Sequence, residues 1–361
     1  MYAFHNNNYR PILIIVPSVI IVVVFIAYAV NSSIQIKTSK VLLRKLFQIS
    51  SKSSPESSII LKDSINIQNK SEMCEKYNVS DTRPFFDQES SQTNLPQRIS
   101  NMEHTLIRPQ LRLLRLAVVA CAYNVESHVD NLRKHIGPII DLFHPSSRIF
   151  MLESDSTDNT LRKLRQWRRV QMLTYGNLKA IIPKRTERIA YCRNKLLSQA
   201  REIQPDYMLV VDADIFSVNI SSFLTNFEYK TSEWSVMTAN LIENYYDIWA
   251  LRTLSENILN YDVWHVVWAM QRISNYCPQS VRHSIINIHM KPLSTDRNLL
   301  EVRSAFGGAA IYKMEATKNC FYTGKPYTCE HVPFHLCMRD KNQARIFINP
   351  RFTNDNIEGK N

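Results

Sequence analysis

YMLVVDAD, Tyr207 to Asp214, reads as a buried strand that runs straight into two carboxylates, Asp212 and Asp214. Working upstream, three similar apolar runs come into view. LLRLAVVACAY (Leu113 to Tyr123) is continuous enough for a strand covered on both faces, and RIFMLE (Arg148 to Glu153) and LKAIIP (Leu178 to Pro183) are shorter versions of it. Helical stretches separate them: Glu126 to Phe143, Thr157 to Arg169 with Ser156 or Thr157 as its cap, and Thr186 to Ile203. Strand and helix alternate through short joins. The expectation is therefore an α/β protein with a doubly wound, mostly parallel sheet whose ligands sit at the C-terminal ends of the strands.

Residues with useful chemistry collect at those ends. Asp212 and Asp214, two residues apart on leaving a strand, can gather around a hard divalent cation such as Mn2+ or Mg2+. ESDSTDNT (Glu153 to Thr160) offers carboxylates to a base or ribose, and also suits a plain helix cap. In RTERIAYCRN, Arg188 and Arg193 can meet phosphate oxygens or stand as solvated helix arginines. Further on, Gly307 and Gly308 permit close backbone approach to a ligand. Glu330, His331 and His335 bring a carboxylate and two imidazoles within about one helical turn. Glu330 or His331 is then a candidate general base, and either histidine a third metal ligand or a core residue. Ile258, Tyr261, His265 and Trp268 recur at helical spacing, which fits packing against the sheet better than a sugar platform.

These pieces, in this order, resemble the nucleotide-sugar glycosyltransferases of GT-A fold. The run ESDSTDNT … ERIAYCRN … VVDAD … YYDIWALR is similar in particular to the fungal capsule-associated α-mannosyltransferases and their relatives. The resemblance covers Leu113 to Arg252 well, thins through Thr253 to Val302, and returns at FGG and the Glu-His segment. It implies that Tyr123, Asn124, Glu153 and Asp155 contact the nucleoside, and that Asp212 and Asp214 bind the metal–diphosphate. It further implies Asp247, Trp249 and Arg252 near the sugar and Glu330 as the late acidic element. His331 stands where many such enzymes keep a second acid. The implied donor is GDP- or UDP-linked, and the implied acceptor a glycan, lipid or protein.

Beyond this domain, taken as residues 111–361, the 361-residue chain divides by texture. Residues 1–10 form a tail, and 11–30 (PILIIVPSVIIVVVFIAYAV) are uncharged and long enough to span a bilayer core. Residues 31–110 are polar and Ser-rich, as expected of a flexible stem. Four N-x-S sequons, at Asn31, Asn69, Asn78 and Asn219, favour a luminal domain in the Golgi or endoplasmic reticulum, whereas Lys37, Lys40, Arg44 and Lys45 after the span favour the opposite orientation. The net charge of +12 suits phosphate-bearing ligands, and no zinc-finger or RNP-like pattern points to nucleic acid. Seven cysteines include no C-x-x-C pair, and Cys320 with Cys329 is a plausible short-loop disulfide. Two other readings compete. A nucleotidyltransferase also uses carboxylate-bound metal but usually carries a Gly-rich loop after its first strand, absent from CAYNVES. A non-catalytic luminal sugar-binding protein would not need the acidic pair.

Overall fold

The computed structural model describes residues 81–89, 92–99, 104–256, 258–273, 278–326 and 328–354. The tail, the expected membrane segment at 11–30 and the stem as far as residue 80 lie outside the described residues, as do the sequons at Asn31, Asn69 and Asn78. Among the described residues no helix is long and apolar enough to cross a membrane.

Two short helices lead in, α1 (Phe85–Gln88) and α2 (His104–Leu111). There follow β1 (Leu116–Ala122), α3 (Val129–Ile140), β2 (Arg148–Glu153), α4 (Thr160–Gln166), β3 (Val170–Thr174), α5 (Leu178–Ile181), α6 (Arg185–Glu202) and β4 (Tyr207–Asp212). The second half contains α7 (Ile220–Leu224), β5 (Val236–Asn240), β6 (Arg252–Thr253), α8 (Val263–Ile273) and α9 (Pro278–Ile285). It ends with β7 (Leu300–Ser304), β8 (Ala309–Lys313), α10 (His331–Asn342) and β9 (Ile346–Thr353). One nine-stranded sheet runs β3-β2-β1-β4-β8-β5-β9-β7-β6. The first four strands are mutually parallel. Only β7 and β8 oppose their neighbours, so seven of the nine strands point the same way. The expected mostly parallel α/β sheet is present.

Its core explains the uninterrupted apolar runs. Leu116, Val118 and Ala120 of β1 face one way, into a cluster with Leu132, Ile136 and Ile139 of α3. Ala117 and Val119 face the other way, against Leu196, Leu197 and Ala200 of α6. A strand covered on both sides has no polar alternation to show. The third strand is a correction. LKAI is a helical turn capped by Asn177, whose side chain accepts from the Ala180 amide, and the strand is VQMLT. As the outer strand of the sheet, β3 is only half covered and lacks the apolar run that betrays its neighbours.

The stem range also needs qualification where it is described. Phe85 and Phe86 are buried in the domain core, with the Phe85 ring 5.5 Å from Tyr245. Burying a phenylalanine is worth about 1.5–3 kcal/mol, enough to hold this short segment on the domain. Cysteine pairing differs as well. Cys320 bonds Cys337 and Cys121 bonds Cys192, while Cys329 is free. Cys329 adjoins Glu330 at the start of α10, whereas Cys337, two helical turns on, reaches back to the loop that carries Cys320.

Candidate active site

From β1 the chain moves outward through β2 to β3, then returns to place β4 on the other side of β1. At such a reversal the connections diverge and leave a crevice beyond the strand ends. A cavity of ≈ 290 Å³ opens there, between the exits of β1, β2 and β4 and the first turns of α6.

One wall is acidic. Asp214 is exposed and lines the cavity. Asp212 also lines it, with 32% of its side chain accessible, while its Oδ1 accepts from the Arg193 guanidinium at 2.9 Å. Burial pushes the Asp212 carboxyl up to about 7; Arg193 opposes this, and the charges of Asp214, Asp247 and Glu330 reinforce it. Like charges held together in this way invite a cation.

The facing wall is basic. Lys179 and Arg185 are exposed at the cavity, and Arg188 lines it while donating to the carbonyls of Ile182 (2.9 Å) and Pro183 (2.5 Å). The 18-residue α6 begins here without a side-chain cap, so its first amides and its dipole add to the positive field. At the third side Tyr123 stands 59% exposed beside Asp155. Asp155 has a left-handed backbone (φ 63°), and its Oδ1 accepts from the Lys179 amide at 2.8 Å. Tyr123, Asp155, Arg188, Asp212 and Asp214 are thus brought together around one cavity.

Glu153 and Asn124 turn out to brace the cavity rather than face it. Glu153 is buried and accepts from the Ser156 amide (3.1 Å) and the Thr174 hydroxyl (2.8 Å). Asn124 accepts from the Thr157 amide at 2.8 Å, tying the exit of β1 to the loop after β2. Arg193 has the expected position but other partners. Only 6% exposed, it donates from Nε to Glu330 Oε1 at 2.8 Å as well as to Asp212, and lies over the Phe306 ring. Burial alone would lower its pKa, but Glu330 and Asp212 outweigh that and hold the guanidinium charged.

Gly307 and Gly308 make room for the protein's own atoms. A Cβ at Gly307 would lie 2.1 Å from the Ala239 carbonyl oxygen, and one at Gly308 2.4 Å from Ile215 Cδ1; both residues have positive φ. The Gly307 amide donates to Asp247 Oδ2 at 3.1 Å, and the Gly308 carbonyl accepts from the Asp212 amide at 2.9 Å. The pair therefore couples Asp247 to the β4 exit. Burial pushes Asp247 up to about 6, against the pull of the Gly307 and Ala250 amides. Trp249 packs on Trp264 with ring centres 4.5 Å apart, and Arg252 is turned inward to the Trp249 and Leu251 carbonyls and Asp262.

The two histidines depart furthest from expectation. His335 is fully buried, with Nδ1 bonded to the Ser304 hydroxyl (2.9 Å) and Nε2 to the Tyr312 hydroxyl (2.8 Å), so no nitrogen remains for a metal. His331 is stacked on Phe306 at 3.8 Å, and burial depresses its pKa well below the usual range. A buried, weakly basic imidazole is a poor proton acceptor. Sequence reading missed Lys179 and Arg185, both of which line the cavity. Tyr246, next to Asp247 in sequence, is half-buried, and burial together with the charges of Asp247, Asp212 and Asp214 pushes its phenol pKa well up.

Among the described residues no three His, Cys, Asp or Glu side chains are grouped to hold a metal. The hard-oxygen pair Asp212 and Asp214 nevertheless fits Mg2+ or Mn2+ if phosphate oxygens and water complete the shell, as such ions commonly require.

No protein-family profile and no curated protein sequence matches this chain. Solved structures that resemble it include glucosyl-3-phosphoglycerate synthase from Mycobacterium tuberculosis, in complex with Mn2+, UDP and phosphoglyceric acid. It is 12% identical with a TM-score of 0.41, over 71% of this chain and 75% of that one. A mannosyltransferase from Pyrobaculum calidifontis, in complex with GDP-Man and Mn2+, is 12% identical with a TM-score of 0.39, over 69% of this chain and 58% of that one. S. aureus TarS 1-349 is 15% identical with a TM-score of 0.35, over 65% and 58%. Likeness of this degree carries no chemistry from one chain to another.

Proposed function

We propose that this protein is a metal-dependent glycosyltransferase that takes its sugar from a nucleoside-diphosphate donor. The observation that carries the reading is the cavity between β1 and β4, with Asp212 and Asp214 on one wall and Lys179, Arg185 and Arg188 on the other. A diphosphate fits between such walls, since the cations meet its oxygens directly and the carboxylates meet them through a divalent ion. Bound there, the ion would neutralise charge on the departing diphosphate. In this reading Tyr123 and Asp155, which line the cavity, meet the nucleoside, and the buried Asp247 and Glu330 serve the sugar and the acceptor hydroxyl. The sequence resemblance favours mannose as the sugar and a glycan, lipid or protein as acceptor.

The test is release of nucleoside diphosphate from a panel of GDP- and UDP-sugars by the purified protein, after chelation and again with Mn2+ or Mg2+ restored. Metal-dependent release from at least one donor is expected. No release from any donor by folded protein, or pyrophosphate release from nucleoside triphosphates instead, overturns the reading.

We further propose that residues 11–30 anchor the chain and that the domain faces the lumen of the Golgi or endoplasmic reticulum. Two disulfides among the described residues and the exposed sequon residue Asn219 support an oxidising compartment. The domain should resist protease in sealed microsomes; digestion without detergent would place it on the other side.

A further inference from the structure

The Cys121–Cys192 disulfide lies in the wall of the cavity. It joins β1 to α6, two elements already packed together through Val119, Leu196 and Leu197. Position, more than cross-linking, sets it apart. In the β1–β4 ladder Cys121 is the direct partner of Asp212. Cys192 immediately precedes Arg193, whose guanidinium returns to Asp212 Oδ1 at 2.9 Å. A ring is thereby closed: Asp212 to Cys121 across the sheet, Cys121 to Cys192 through sulfur, Cys192 to Arg193 along the helix, and Arg193 back to Asp212. From this ring the second arm of the guanidinium reaches Glu330 Oε1 at 2.8 Å, at the residue that caps α10.

Two carboxylates from distant parts of the chain, Asp212 and Glu330, are thus held by one buried fork. We propose that the Cys121–Cys192 disulfide is a positioning element of the site: it seats Arg193, and Arg193 holds Asp212 and Glu330 together. The inference rests on the glycosyltransferase reading. A planar guanidinium suits the role because its donors are rigidly disposed and address both carboxylates at once, which a lysine ammonium cannot reproduce. The other disulfide among the described residues, Cys320–Cys337, joins α10 to the preceding loop outside this ring and serves as a control.

The experiment compares the full-length protein with Cys121→Ala/Cys192→Ala, Cys320→Ala/Cys337→Ala and Arg193→Lys. The readouts are kcat, donor KM, thermal melting, and Mn2+ binding by EPR without sugar donor. Removing the Cys121–Cys192 bond should lower kcat about 10- to 100-fold in protein that is still folded, because a small misplacement of reacting groups has that effect. Mn2+ affinity should weaken about tenfold, the usual consequence of disturbing a group that orients a metal ligand. Donor KM should move much less than kcat. Arg193→Lys should show the same pattern with melting nearer that of wild type. If the double-alanine protein does not fold, the same readouts on folded Cys320→Ala/Cys337→Ala protein before and after mild reduction decide the matter, with a fall in kcat and Mn2+ affinity expected and unchanged values overturning the proposal. The Cys320→Ala/Cys337→Ala protein should keep kcat and Mn2+ affinity close to wild type at temperatures where it is folded. Wild-type kcat and Mn2+ affinity in folded Cys121→Ala/Cys192→Ala, or equal losses from removing either disulfide, overturn the proposal. A wild-type protein that neither binds Mn2+ nor releases nucleotide instead overturns the glycosyltransferase reading, and this proposal with it.

Discussion

Asp214→Asn is expected to lower sugar transfer by about 10³-fold and to leave melting nearly unchanged, since metal stabilisation of a leaving group is worth several kcal/mol and each 1.4 kcal/mol is tenfold. The two effects separate because of where Asp214 stands. Its side chain is exposed at the cavity mouth, one residue beyond the buried Ala213, and no described residue donates a hydrogen bond to its carboxylate. Asparagine keeps the shape and removes the charge. Asp212→Asn would be a poorer test, because it also breaks the ion pair with Arg193. Initial rates across a Mn2+ titration, with a melting curve for each protein, check the expectation. A mutant rate equal to wild type would make Asp214 an ordinary surface turn.

How far the sequence could be read depended on what each residue's neighbours conceal. β1, β2 and β4 were legible because both faces of each strand are buried, leaving an apolar run that only a central strand produces. β3 was not, because an outer strand with one open face carries Gln171 and Thr174 among its apolar residues. β8 inserts between β4 and β5 against their direction, a long-range pairing that leaves no local trace. In the site, Asp212 and Asp214 were legible because a carboxylate directly after a buried strand has few structural reasons to be there. Arg193 was found for its charge and misjudged in its partners: sequence shows that a guanidinium exists, but only the fold shows that Glu330 and Asp212 reach it first. Gly307 is a place of close approach, and the atom that approaches there is the Ala239 carbonyl oxygen. The helical spacing of His331 and His335 says nothing about which side of α10 is buried, and both prove to lie inside.

Glu330→Gln is expected to lower kcat by about 10²–10⁴-fold with donor KM retained, if the Glu330 carboxylate takes the acceptor proton. Two effects must be told apart, because Glu330 is also half of a buried ion pair. Removing one partner of such a pair outright costs about 3–5 kcal/mol, since the other charge is left stranded. Glutamine limits that loss: its carbonyl oxygen can still accept from Arg193 Nε, and Asp212 still neutralises the guanidinium. Stability should therefore fall modestly while turnover falls steeply. His331→Ala should do the reverse. Its imidazole is stacked on Phe306 with Nε2 3.6 Å from Glu330 Oε1, so truncation opens a cavity under the site but removes no working base. Donor binding, turnover and melting of both variants separate these patterns, and NMR of the product anomer shows whether the reaction inverts. Inversion with near-normal turnover in Glu330→Gln would transfer the role of base to Asp247. That carboxylate is held by the Gly307 amide, and burial has already moved its pKa up to about 6, nearer to the range in which a general base works at neutral pH.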